Sequence, residues 1–175
     1  MQAIFGWDWR DGAQDNSNLR YSKVLANGSG HDQADAVWHD EDRELGDGGS
    51  HYLDLSGLVR EVMGHEITID FERIKGILIV NSPISDGTLL VGNADYDCWW
   101  APFRTVDDHV EVPPDSPLML ANRKDGWPVT GSGESSSGEG GQDRMLKIAA
   151  SGGAAKYDIA ILGTEAAFVS SSSGT

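Results

Sequence analysis

Cysteine is almost absent from the 175-residue sequence, and its scarcity restricts the sites that the chain can build. A single thiol, Cys98, cannot form an intrachain disulfide or a cysteine-based zinc site. Between Asp97 and Trp99 we expect a packed thiol, with an interchain disulfide across a symmetry axis as the alternative. This composition fits synthesis in a reducing cytoplasm.

Long apolar runs are also missing. No stretch approaches the ~18 consecutive apolar residues that a membrane-spanning helix needs. The opening residues, MQAIFGWDWRDG, lack the basic segment and the following apolar run of a secretion signal. The sequence therefore predicts no membrane span and no signal peptide.

Basic residues are outnumbered by acidic ones. Lysine and arginine total 13 against 28 aspartate and glutamate residues, which gives a formal net charge of -15. Such a charge repels nucleic acid and anionic lipid, so we expect no nucleic-acid partner. A positively charged protein surface is a more suitable partner, although acidity alone also keeps a protein soluble.

Recognisable catalytic motifs are lacking as well. The sequence contains no GxSxG, P-loop or GxGxxG motif, and nothing marks a base partner for Cys98. Carboxylates are abundant, and because a glycosidase needs only two of them, the sequence leaves that chemistry open. We expect no enzymatic activity, no catalytic residue and no cofactor.

One set of possible metal ligands stands out. His31, Asp35 and His39 have an i, i+4 spacing that would place three ligands on one face of a helix. Glycines flank this stretch on both sides, and it has few apolar residues to fix a helix. The pattern favours a solvated acidic loop, and we expect no metal site.

Alternating side chains are the strongest positive signal. Between His65 and Pro83, Ile67, Ile69 and Phe71 alternate with polar residues, and Ile74 to Val80 are almost wholly apolar. This predicts a half-exposed strand that continues into a strand covered on both faces. Similar short segments bounded by turn residues follow. We therefore predict an all-β fold, an antiparallel β-sandwich or jelly-roll-like domain of about eight short strands.

Local signals add detail to this fold. Residues 56–64, SGLVREVMG, predict one short helix capped by Ser56 and closed by Gly64. Asp86-Gly87 predicts a hairpin between ILIVNSP and TLLVGN, and the glycines at 152–153 predict a second hairpin. The segment CWWAPF, at 98–103, is predicted to be a strand.

Three regions follow from these patterns. Residues 1–50 carry aromatic anchors in turn-rich sequence without a sustained period, which predicts an extended N-terminal arm with loops. Residues 51–164 form the predicted sandwich, and residues 165–175 form a serine-rich C-terminal tail. Residues 131–142, GSGESSSGEGGQ, are predicted to be a mobile surface loop.

Aromatic side chains are the main candidates for partner contact. The rings of the arm can pin it onto its own domain or onto a neighbouring subunit. Two adjacent tryptophans on a strand face opposite sides, so one would enter the core and the other would stack on a sugar or bury in an interface. The candidate partner-binding residues are Phe5, Trp7, Trp9, Trp38, Trp99 and Trp100.

The order of the strands resembles small β-sandwich virion proteins of tailed bacteriophages. Those proteins have the motifs LDLSGL, a strand ending in I.N, a glycine-containing hairpin, a proline-rich strand leading to GW.V and a final YDI.I.GT. The similarity spans about Ala36 to Thr164. The corresponding segments here are YLDLSGL, HEITIDFERIKGILIVN, LLVGN, WWAPF, VEVPPDSPLMLA, GWPV, LKIAAS and YDIAILGT.

This resemblance implies a non-enzymatic structural component of the virion. The expected role is a head decoration or cement protein, made in the host cytoplasm, that binds the major capsid protein on the capsid exterior. Symmetric oligomers supply several modest contacts at once, so we expect a homotrimer at a local three-fold axis. The alternatives are a tail or baseplate component and a carbohydrate-binding module that uses Trp99 or Trp100.

Overall fold

A computed structural model provides the structure of the chain. It describes residues 24–130 and 143–165 in full, and the backbone alone of residues 2–6 and 18–22. Within these ranges the regular elements are all strands, and the strands pair antiparallel. They are β1 (Gln2–Gly6), β2 (Asn18–Ser22), β3 (Ala36–Leu45), β4 (Ser50–Asp54), β5 (Leu58–Val62), β6 (His65–Ile69), β7 (Phe71–Asn81), β8 (Thr88–Gly92), β9 (His109–Val112), β10 (Ser116–Ala121), β11 (Trp127–Pro128), β12 (Met145–Ser151) and β13 (Ala155–Glu165).

Two sheets share one apolar core, which confirms the predicted all-β, antiparallel sandwich. The larger sheet has the order β10-β7-β13-β3, and β11 continues beside β7 after β10. The smaller sheet has the order β4-β12-β8-β9. Two further pairs, β1-β2 and β5-β6, are two-stranded ribbons.

The centre of the core lies on β7 and β13. Ile79 of β7 and Ile161 of β13 are completely buried in the same cluster as Ile148 of β12 in the other sheet. Full burial of such a side chain stabilises the fold by ~1.5–3 kcal/mol. Leu78 and Val80 are only half-buried. The prediction that this run is covered on both faces is therefore wrong, because the second face of β7 is partly open.

The predicted helix over residues 56–64 is wrong. The chain turns after β4, where the Asp54 carboxylate accepts hydrogen bonds from the backbone N and hydroxyl of Ser56, and then runs as β5. β5 pairs with β6 through a turn at Met63 and Gly64, whose φ angles are 53° and 80°. Two successive positive φ angles are typical of a hairpin turn. Gly64, which was predicted to end the helix, therefore closes this hairpin.

Both hairpins predicted from glycine turns are wrong as well, because the chain changes sheets at these points. β7 and β8 lie in different sheets, and so do β12 and β13. The two sheet-crossing corners lie against each other, since the backbone N–H groups of Asp86 and Gly87 both donate to the carbonyl of Ala154, at 2.9 Å each. The corners are therefore a single junction between the sheets.

The sandwich includes residues that the sequence assigned to the arm. β3 pairs with β13 along the edge of the larger sheet, so the sheet begins at Ala36. The segment 98–103 is a turn and not a strand, with Cys98 in a single bridge to Met145. The predicted loop at 131–142 and most of the predicted tail lie outside the described residues.

Candidate interaction surface

Two of the six candidate aromatic residues are core residues. Trp38 on β3 is 4% exposed, and its indole N–H donates to the carbonyl of Val59 at 3.0 Å. Trp99 is 0% exposed and donates to the carbonyl of Pro128 at 2.8 Å. Because both rings are enclosed and satisfied, they hold the sandwich together and offer no surface to a partner.

The other four aromatic residues have different placements. Trp100 is half-buried and packs beside Cys98 and Met145. Phe5 belongs to β1, for which only the backbone is described, and Trp7 and Trp9 lie outside the described residues. Partner contact through Phe5, Trp7, Trp9 and Trp100 stays a prediction.

The larger sheet presents an apolar surface that was not predicted from the sequence. It lies on the side away from the core, and we call it the outer face. Register places Leu78 beside Ala160 and Met119, and Leu162 beside Val37. Val37 is 49% exposed and the others are half-buried. The signal in the sequence is the continuous apolarity of β7, from which burial of both faces was predicted.

Acidic side chains border the outer face. An open cavity of about 330 Å³ there is lined by the apolar residues Leu78, Val80 and Ala160 together with Glu41 and Asp158. Both acidic residues are exposed. An apolar centre with a negative margin complements a partner surface that is apolar with a basic margin.

Basic charge near this margin is already partly neutralised. Lys156 Nζ lies 2.9 Å from Asp42 Oδ1 and 3.9 Å from Glu44 Oε1. The hydrogen bond that Lys156 donates to Asp42 raises the pKa of Lys156, so the amine stays charged. The margin therefore presents negative charge to a partner.

A second open cavity lies beside Trp100. It has a volume of about 550 Å³ and is lined by Tyr96, Trp100 and several carboxylates, including that of Asp95. Tyr96 stacks on Tyr52 with ring centroids 5.3 Å apart, and Tyr52 donates a hydrogen bond to Asp95. The cavity therefore combines aromatic rings with carboxylate hydrogen-bond acceptors.

Cys98 is buried at the base of this cavity and is a free thiol. Its sulfur accepts a hydrogen bond from the backbone N–H of Ala94 at 3.3 Å and donates to the carbonyl of Val106 at 3.5 Å. Burial raises the pKa of the Cys98 thiol, which disfavours the reactive thiolate. The packed-thiol prediction agrees with this geometry.

Labelling with a thiol reagent tests this description. We expect Cys98 to react at least roughly tenfold more slowly in the native protein than in urea, because reaction needs local opening and deprotonation. A chromogenic disulfide reagent measures both rates. Equal rates in the two states would contradict the packed thiol, and a disulfide-linked dimer on a nonreducing gel would support the interchain alternative.

The three possible metal ligands do not converge. His39 receives a hydrogen bond from Arg60 at 2.7 Å, and His31 lies 3.4 Å from Asp125. The carboxylate of Asp35 accepts the backbone N–H of Glu165. Within residues 24–130 and 143–165, no three histidine, cysteine or acidic side chains are grouped to hold a metal ion.

A polar network joins β13 and β3 of the larger sheet to β4 of the smaller sheet. The hydroxyl of Tyr157 on β13 lies 2.9 Å from His51 Nδ1 on β4 and accepts a hydrogen bond from Arg43 at 3.1 Å. Burial raises the pKa of Tyr157 to about 12, and burial lowers the pKa of His51. Because Tyr157 is completely buried, a substrate has no path to its hydroxyl, and the network stabilises the interior.

Comparisons with protein-family models, with curated proteins and with solved structures each found no match to this chain. The resemblance to phage virion proteins thus depends on the order of its strand motifs alone. In the part of the chain that the structure describes, no helix is long and apolar enough to cross a membrane.

Proposed function

We propose that this protein is a non-enzymatic structural protein of a phage virion, a decoration or cement protein that binds the capsid exterior. The observation that carries the proposal is the outer face, an apolar sheet surface on a chain of net charge -15. Apolar patches rimmed by polar residues are typical of protein interaction sites. The strand order adds the virion context, since it resembles small β-sandwich virion proteins of tailed bacteriophages.

The proposed partner is the major capsid protein. The outer face would cover an apolar patch of the shell, and Glu41 and Asp158 would meet basic residues at its margin. A homotrimer would place three such faces on the shell together, so that weak single contacts give strong attachment. The aromatic residues Phe5, Trp7 and Trp9 are proposed to reach a neighbouring subunit.

A charge placed among the apolar side chains of the outer face tests the proposal. We expect Val37→Asp to weaken binding to undecorated phage heads by roughly tenfold or more, because an unpaired carboxylate would be buried in the contact. Val106→Asp is the matched control, since Val106 is 48% exposed against 49% for Val37 but lies in the loop before β9 of the smaller sheet. Cosedimentation with heads measures binding, and circular dichroism verifies the fold.

The outcomes separate the alternatives. Equal binding of the Val37 and Val106 variants would remove the outer face from the contact. Binding to purified tails and not to heads would support the tail or baseplate alternative. Deletion of residues 1–20 tests the arm separately, because retained binding and an unchanged oligomer mass would exclude its proposed role.

The cavity beside Trp100 supports a second candidate function, carbohydrate binding. A sugar ring would stack on the Trp100 or Tyr96 ring while Asp95 accepts hydrogen bonds from its hydroxyl groups. We rank this candidate lower because Tyr96 already stacks on Tyr52 and Asp95 already accepts hydrogen bonds from Tyr52 and Lys147.

A further inference from the structure

The chain carries a net charge of -15, yet one of its cavities is lined by three cationic side chains. It has a volume of about 390 Å³ and lies where the turn between β10 and β11 meets the loop before β3. Arg73 and Lys75 from β7 and Lys124 from the turn line it, against the single carboxylate of Asp125. In a chain with 13 basic and 28 acidic residues, three cations beside one carboxylate are a local reversal of charge.

Lys75 is the most unusual of these cations. The residue is 3% exposed, and its ammonium donates to the carbonyls of Lys124, at 2.7 Å, and Gly30, at 3.4 Å. Among the described residues no carboxylate lies within ion-pair distance of it. Neutral carbonyls stabilise a buried cation less than an anionic partner does.

The backbone explains how Lys75 reaches this place. The register between β7 and β13 shifts here, with Gly76 opposite Leu162 and Ile74 opposite Gly163, so Lys75 has no partner in that ladder. A bulge of this kind redirects a side chain away from the regular alternation. The turn after β10 is held against Lys75 by a backbone hydrogen bond. The N–H of Asn122 donates to the carbonyl of Lys75 at 3.0 Å.

The neighbouring groups leave the positive charge unbalanced. Arg73 donates to the backbone carbonyl of Asp125 at 3.2 Å, which is again a neutral acceptor. The Asp125 carboxylate lies 3.4 Å from His31 and is 58% exposed. Burial and the charge of Arg73 lower the pKa of Lys75, and the more weakly acting charges of Asp125 and Asp32 oppose this shift without cancelling it.

We propose that this cavity binds a small oxyanion, a phosphate or carboxylate group, between Arg73, Lys75 and Lys124. A guanidinium beside ammonium groups provides charge-assisted hydrogen bonds to such a group. The acidic remainder of the chain repels long polyanions, so the site selects compact ligands. This proposal is independent of the proposed capsid role.

Titration of the whole protein with inorganic phosphate and with acetate, at constant ionic strength, tests the site by amide NMR. We expect shift changes concentrated in residues 29–31, 73–75 and 124–125. Arg73→Gln is expected to weaken binding about tenfold, because a charge-assisted hydrogen bond is lost. Lys156→Gln is the matched control, since it removes one positive charge outside the cavity and should leave the affinity unchanged.

Lys124→Gln provides a second test if the Arg73 variant does not fold, because Lys124 is exposed and its contact with Lys75 is made by its backbone carbonyl, which the substitution keeps. Stronger binding of phosphate would identify a phosphoryl ligand, and equal or stronger binding of acetate would identify a carboxylate. Absence of shifts with both anions would overturn the proposal. So would equal weakening by the Arg73 and Lys156 substitutions, or an unchanged affinity in a folded Lys124 variant.

Discussion

Gly87→Ala is expected to lower the free energy of unfolding by about 3 kcal/mol. An added Cβ would overlap the carbonyl oxygen of Gly153 and lie 2.7 Å from its carbonyl carbon. Both atoms belong to backbone, which cannot move aside as the end of a side chain can. The substitution would separate the two corners and weaken the hydrogen bonds from Asp86 and Gly87 to Ala154. Urea denaturation measures the loss as a lower midpoint at an unchanged slope.

Gly57→Ala is the matched control for this prediction. No atom lies within 4 Å of a Cβ built on Gly57, and its φ is not in the positive range. Alanine restricts the unfolded chain, so this variant should be unchanged or more stable by ~0.4–1 kcal/mol. Equal denaturation midpoints for the two variants would show that the corners tolerate a methyl group and would contradict the junction described above.

Trp99→Ala is expected to cost ~3–5 kcal/mol of stability, as for other large buried aromatic residues. The ring is 0% exposed and meets Trp127 edge-on, with centroids 6.3 Å apart. Its loss also leaves the carbonyl of Pro128 without its donor. Trp100→Ala, at a half-buried position, should cost about 1 kcal/mol. Thermal or urea unfolding followed by circular dichroism compares the two.

The same pair of variants separates structural from binding roles. Trp99→Phe keeps most of the ring volume and should recover part of the stability lost in Trp99→Ala. Similar losses of stability in Trp99→Ala and Trp100→Ala would contradict the assignment of Trp99 to the core and of Trp100 to the surface. A glycan array applied to the folded Trp100 variant tests carbohydrate binding, because a sugar that binds the parent protein by stacking on Trp100 should bind the variant less.

The fold class was predictable because it depends on short-range patterns. Alternation in β6 and β7 and the short apolar segments that became β10, β12 and β13 identify strands without tertiary information. Proline and glycine residues mark where these strands end. The all-β antiparallel sandwich follows from those signals.

The errors in the predicted fold arise where a local pattern has two tertiary outcomes. Gly64 can end a helix or close a hairpin. It closes a hairpin here because β5 pairs with β6. An Asp-Gly pair such as Asp86-Gly87 turns the chain whether the next strand joins the same sheet or the opposite one. Only contact with Ala154, distant in sequence, determines which of these occurs.

The candidate surfaces were even less predictable from sequence. Tryptophan is both a good core residue and a good contact residue, so composition could not assign Trp38 and Trp99 to the core. The outer face depends on register between β7, β13, β3 and β10, which a single sequence does not contain. The position of Lys75 depends on a bulge that no turn signal marks.

The position of β13 in the larger sheet has a consequence for the time course of folding. β13 lies between β7 and β3, although it is the last of the described strands in the chain. During synthesis β3 and β7 therefore cannot pair with β13 until residues 155–165 leave the ribosome. Sheets that join distant segments fold slowly, typically in about milliseconds to seconds. Nascent chains that stop before β13 would expose two unpaired strand edges and should be the species most prone to aggregation.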